Sequence, residues 1–198
     1  MLSSRALALT AALGAWLVPD TAPAEPVVIE RILATVDGLP VMLSEVRLVQ
    51  RLRGLERAAA LDLVVDELLM FREARRLAQA RLTPAEDQAA YESLLARPEA
   101  ESLPEADLRR LARRQATITK YVAFRFRPQI RVSEDEIRQV YEAYTAQQPG
   151  APDLADVREE LRRQLTEHQL DERLETWVKD LRAVARIRHN RALPDTSG

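Results

Sequence analysis

A proline set between two helical patterns constrains this chain more than any other feature. From Leu108 to Tyr144 the sequence reads as a basic helix, a break at Arg127-Pro128-Gln129, and a second helix announced by Ser133-Glu134-Asp135-Glu136-Ile137. At about 100° per residue, Leu108, Leu111, Ile118, Val122 and Phe126 fall within one narrow stripe, as in a helix that docks on a core. Tyr121 and Phe124 lie outside that stripe, so the same helix offers apolar surface in two directions. After the proline, Ser133 and Glu136 have the spacing of a capping box, in which each side chain bonds the other residue's free backbone N–H. Ile137, Val140, Tyr141 and Tyr144 then repeat at i, i+3, i+4 and i+7.

Only 5 glycines interrupt long Ala, Leu, Arg and Glu runs, which predicts a mainly α fold. With 198 residues, 46% of them hydrophobic, the chain can bury one domain-sized core. Lys120 and Lys179 are the only lysines among 29 basic residues, the rest being arginine, and the net charge of −2 gives no global attraction to nucleic acid. There is no cysteine, so neither a disulfide nor a lipid-modified cysteine is available.

Residues 1–24 have the layout of a secretory signal peptide: Arg5 at the start, an apolar run from Ala6 to Val18, and Ala22-Pro23-Ala24 before Glu25. The apolar run is shorter than the roughly 20 residues that cross a bilayer. The expected product is therefore exported, cut near Ala24, and not inserted in the membrane. Residues 25–190 are expected to form one domain, with a part at 25–144 completed by a helix and strand within 153–190, and residues 191–198 a polar tail.

Val27 to Val36 reads as a strand, Asp37-Gly38 as a type I′ hairpin turn, and Val41-Met42-Leu43 as the returning strand. Ser44 is expected to cap a helix that buries Val46, Val49 and Leu52 and stops at Gly54. From Glu56 to Ala80 runs the most apolar helix, with Leu61, Val64, Val65, Leu68 and Phe71 on one side and Leu63, Met70 and Leu77 near the other. A helix apolar on two faces belongs at the centre. Thr83-Pro84-Ala85-Glu86 opens another helix with a cap, a first-turn proline and a capping-box glutamate, ending near Arg97-Pro98. After the loop Thr145 to Pro152, Asp153 begins a long helix. Its stripe of Leu154, Val157, Leu161 and Leu165 gives way beyond His168 to Leu170, Leu174, Trp177, Val178 and Leu181 on the opposite side. No proline or glycine lies between Glu167 and Asp171, which predicts one helix crossing from one body to another. Ala183 to Arg188 alternates as a last strand.

Taken together, these residues resemble the chaperone module of SurA-type periplasmic proteins and their parvulin foldase relatives. The resemblance rests on the exported start, the hairpin Val36-Asp37-Gly38-x-x-Val41-x-Leu43-Ser44-Glu45, the paired helices, the junction Arg131-Val132-Ser133-Glu134-x-Glu136-Ile137, and a final helix bearing Trp177 before a strand. It covers Val27 to Arg188, and the order of the motifs carries it. It implies a mainly α, SurA-like module with a small sheet in which Ala183 to Arg188 pairs with Ile29 to Val36. Such proteins usually carry a parvulin prolyl isomerase domain of about a hundred residues where this chain has only Thr145 to Pro152. The binding half alone is implied.

No catalytic residue, metal site or cofactor is expected. Zinc needs three or four converging ligands, and the chain has only His168 and His189. His168 is read as a hydrogen-bonded core or interface residue. Ser44, Ser102 and Ser133 sit where caps are needed and show no nucleophile signature. From Leu108 to Ser133 the chain is basic without an acid, and Arg109, Arg113, Lys120 and Arg127 cluster opposite the apolar stripe as a solvated face would; attraction of acidic client segments or of an anionic membrane surface is the alternative.

The expected function is that of an ATP-independent periplasmic holdase for unfolded outer-membrane or other envelope polypeptides, without isomerase activity. Met70, Tyr121, Phe124, Tyr141 and Tyr144 are the candidate peptide-binding residues, because their helices already have another apolar face to bury. A reduced prolyl isomerase and a structural subunit of one envelope complex are the alternatives. Nucleic acid is not an expected partner.

Overall fold

The computed structural model describes residues 30–146, 150 and 152–190. The signal-peptide reading, the start of the first strand and the polar tail at 191–198 lie outside the described residues, as does part of the loop after Thr145. The protein is mainly helical, with one small antiparallel sheet.

Strand β1 (Ile32–Val36) pairs with β2 (Leu39–Met42) across a turn in which Asp37 (φ 49°) and Gly38 (φ 87°) both take positive φ. That is the requirement of a type I′ turn, met by an aspartate, which tolerates the left-handed region, and by a glycine. The returning strand begins and ends slightly earlier than expected, because Leu43 is already helical. Helix α1 (Leu43–Arg53) ends at Gly54 with φ 63°, and Val46, Val49 and Leu52 are buried as the pattern required. Ser44 is not its cap. It lies inside the first turn, and the residue at the cap position, Met42, offers no side-chain oxygen. The Glu30 carboxylate takes over, accepting from the backbone N–H of Ser44 and of Arg31 at 3.1 Å each. Hydrogen bonds led by Ser44 hold that carboxyl below the usual range.

Helix α2 (Arg57–Ala74) packs against α1 and β1 on one side and against α4 (Glu105–Arg125) and α6 (Leu154–Val184) on others, so the two-faced helix is central. It stops six residues before the expected end. A 3-10 turn, Ala78–Ala80, folds back on α4 instead, burying Ala80 beneath Tyr121 while Lys120 donates to the Arg81 carbonyl at 2.9 Å. Helix α3 (Pro84–Leu95) opens with the full capping box of Thr83 and Glu86 and lies along α4. The linker after it contains a 3-10 turn, Pro98–Ala100, and Pro104, not Ser102, stands at the cap of α4.

The α4 stripe is buried as its spacing required: Leu108, Leu111, Ile118 and Val122 face the core, with Phe126 partly covered. Burying each of the largest of these side chains stabilises the fold by about 1.5–3 kcal/mol. The proline segment forms a 3-10 turn, Arg127–Gln129, and α5 (Glu134–Thr145) follows behind the reciprocal bonds of Ser133 and Glu136.

Helix α6 runs unbroken for 31 residues, about 46 Å at 1.5 Å per residue. Its first half lies along α5, where Arg162 pairs with Glu134 and Gln169 donates to Glu136 at 2.9 Å. Its second half lies on α2, where Arg182 pairs with Asp66 and donates to the Asp62 carbonyl at 3.2 Å. The change of apolar face near His168 is thus a helix serving two partners. His168 itself is 69% exposed and 3.6 Å from Glu172, which corrects its reading as a core residue: it faces solvent. The helix absorbs Ala183 and Val184, so the final strand β3 starts later, at Ile187–His189. β3 pairs with β1, Val36 opposite Ile187 and Ala34 opposite His189, and the sheet order is β2-β1-β3.

Candidate functional site

The five candidate binding residues separate into two inward and three outward. Met70 is partly buried where α2, α4 and α6 meet, packed with Ile118, Val122 and Leu170. Tyr121 is buried in the neighbouring cluster, its ring stacked on Trp177 at 5.1 Å and 17°. Phe126 closes the group, 5.1 Å from Trp177 and edge-on to Tyr121 at 6.1 Å. Offset and edge-on aromatic pairs of this kind add roughly 0.5–1.5 kcal/mol beyond the area they bury. Burial pushes the Tyr121 phenol up, with the Glu73 carboxylate adding to the effect. The face that Tyr121 was expected to offer a bound peptide is therefore covered by the protein's own tryptophan, delivered by the second half of α6.

Phe124, Tyr141 and Tyr144 face outward. Phe124 is 52% exposed, on the side of α4 away from the core. On α5 the apolar repeat is only a quarter covered: Ile137 is fully buried, whereas Val140 and Tyr144 are exposed and Tyr141 is half-buried. Tyr141 donates its hydroxyl to the Pro152 carbonyl at 3.0 Å, which ties the end of α5 to the start of α6. Helix α5 packs chiefly on α6. The two form a hairpin arm, joined to the rest of the molecule through the length of α6 and the proline turn, with Val140 and Tyr144 one helical turn apart on its open side.

The basic face of α4 is exposed at Arg109, Arg113 and Arg127, as a solvated face would be, but three of its four cations also find partners on a neighbouring helix. Arg113 donates to both oxygens of Asp87, its Nε at 2.9 Å. Lys120 donates to both oxygens of Glu86 at 2.7 Å. Arg109 donates to Gln88 and lies 3.9 Å over the ring of Tyr91. All four partners stand on α3, so this face borders the α3–α4 interface. The Lys120 ammonium, with the Thr83 cap, holds the Glu86 carboxyl down at about 2. Arg114 is buried deeper, paired with Glu45 of α1, its Nε 3.2 Å from Glu67 of α2 without the alignment of a hydrogen bond. Gln115 donates to the other Glu67 oxygen at 2.9 Å.

A groove of about 580 Å³ opens between the end of α2, the 3-10 turn and the start of α3, with Phe71, Arg75, Arg81, Leu82 and Pro84 among its walls. Sequence reasoning passed over Arg75 and Arg81, although a signal was present: neither has an acid three or four residues away in either direction, so neither has a partner on its own helix turn. Among the described residues, no group of three or more His, Cys, Asp or Glu is placed to hold a metal ion, and no helix is long and apolar enough to cross a membrane. No family model matches this chain, and no curated protein does either.

Proposed function

We propose that this protein is an ATP-independent periplasmic holdase, similar to the chaperone module of SurA-type proteins, which keeps unfolded envelope polypeptides from aggregating. The observation that carries the reading is the hairpin arm of α5 and α6, on whose open side Val140 and Tyr144 remain exposed one helical turn apart. Phe124 adds a second exposed aromatic on a separate helix. An unfolded outer-membrane strand offers alternating apolar and aromatic side chains, and several weak, separated apolar contacts hold such a chain while letting it leave without an energy source. The close return of the C-terminal strand to β1 agrees with the SurA-like arrangement in which the two ends make one module.

The test is dilution of a urea-unfolded β-barrel outer-membrane protein into buffer with and without this protein, followed by light scattering. A several-fold molar excess should suppress aggregation without ATP, and unchanged scattering would overturn the reading. In a proline-limited refolding reaction the same preparation should give no acceleration.

A further inference from the structure

The groove between α2 and α3 carries charge that the protein itself leaves uncompensated. Of its cations, Arg113 is neutralised by Asp87 across the groove wall. Arg75 and Arg81 are exposed and, among the described residues, neither meets a carboxylate. Arg75 instead lies over the ring of Phe71, 5.5 Å from its centre. The backbone carrying Arg81 is pinned through its carbonyl by Lys120, which is in turn fixed to Glu86. Beside an apolar wall the groove thus presents one stacked guanidinium and a second carried on an anchored backbone, in a chain whose net charge is −2.

A guanidinium that stacks on a ring keeps its planar edge of N–H donors free, and that edge matches a carboxylate bidentately. The wall of Phe71, Leu82 and Pro84 can take one apolar side chain next to it. A polyanion is disfavoured, because the Asp87 carboxylate stands on the same wall and only two cations are free. We infer that the groove docks an extended polypeptide segment in which an aromatic or aliphatic residue is flanked by acidic ones, the carboxylates on Arg75 and Arg81 and the apolar side chain on Phe71, Leu82 and Pro84. This rests on the holdase reading and specifies which client segments are held at this second position.

The experiment uses fluorescence anisotropy with two blocked nonapeptides, one with a single phenylalanine between aspartates and one with lysines in their place. The protein should bind the aspartate peptide about tenfold more tightly than the lysine peptide, with the difference shrinking as salt is added. The double variant Arg75→Glu/Arg81→Glu should reverse the order, a gain that unfolding does not produce. Equal binding of both peptides by the unaltered protein, or an unreversed preference in the variant, would overturn the inference. Light scattering with the unfolded barrel protein separates the two ideas. Suppression without charge preference removes the groove alone, and charge preference without suppression keeps the groove and removes the holdase.

Discussion

Arg114 shows how far a single charge can organise this fold. It is 8% exposed, on α4, and its partners Glu45 and Glu67 come from α1 and α2. Removing one member of a buried set leaves the others charged and unpaired, which costs about 3–5 kcal/mol. Arg114→Ala should therefore lower the urea midpoint sharply, while Arg114→Met combined with Glu67→Leu should recover much of the loss, since Glu45 can reach water. Asp37 is the second such residue. It accepts from the Arg186 backbone N–H at 2.7 Å and pairs with Arg72, and these contacts hold its carboxyl below the usual range. A carboxyl depressed in the folded state adds stability above its unfolded pKa, about 3.9, and loses it as pH falls through the lower folded value. Asp37→Asn, which keeps the left-handed turn, should flatten the fall of the urea midpoint between pH 5 and pH 2 without abolishing it, because Glu86 and Asp87 are depressed as well. Neither residue's role was legible in advance. Asp37 was visible as a turn former because turn chemistry is local, but its link to Arg186, like the pairing of Arg114, joins positions far apart in the chain.

Among the elements, the arm formed by α5 and α6 bears most directly on the proposed holdase function. Val140→Ser with Tyr144→Ser removes its uncovered apolar pair, and both side chains are exposed, so the free energy of unfolding should change by less than about 1 kcal/mol. Suppression of barrel aggregation should drop several-fold in the same variant; unchanged suppression would mean that clients sit elsewhere. Helix boundaries set by local chemistry were readable: the capping boxes at Thr83 and Ser133, the proline break and the stripe of α4 all rest on contacts within a turn or two. The partners of the exposed basic face of α4 were not legible, because a helical wheel shows which side a charge is on and not what faces it. The acids Glu86 and Asp87 open α3 and meet Lys120 and Arg113 near the other end of an antiparallel neighbour. Tyr121 was misplaced for the same reason, since its cover, Trp177, arrives from α6.

For the whole molecule, the decisive contact is the pairing of β3 with β1. Thr35 and Arg188 stand opposite each other in that ladder, and the chain has no cysteine of its own. Thr35→Cys with Arg188→Cys should oxidise to a single bridge. Closing a loop this long should raise stability by about 4 kcal/mol over the reduced form, read as the difference in urea midpoint with and without reductant. The mainly helical architecture with a small sheet was legible because helical periodicity and one hairpin signal sufficed for it, and α6 could be read as one crossing helix from the absence of any breaker at its change of face. The exact extent of β3 was not, because Ala183 and Val184 suit the alternating pattern of a strand as well as the end of a helix, and α6 takes both. The β1–β3 seam has a kinetic corollary. Asp37 and Arg186 lie 149 positions apart, so the entropy of bringing them together must be met before the seam gives anything back. One margin of β1 stays bare through most of folding, and the helical layers have to assemble first and carry its missing neighbour home.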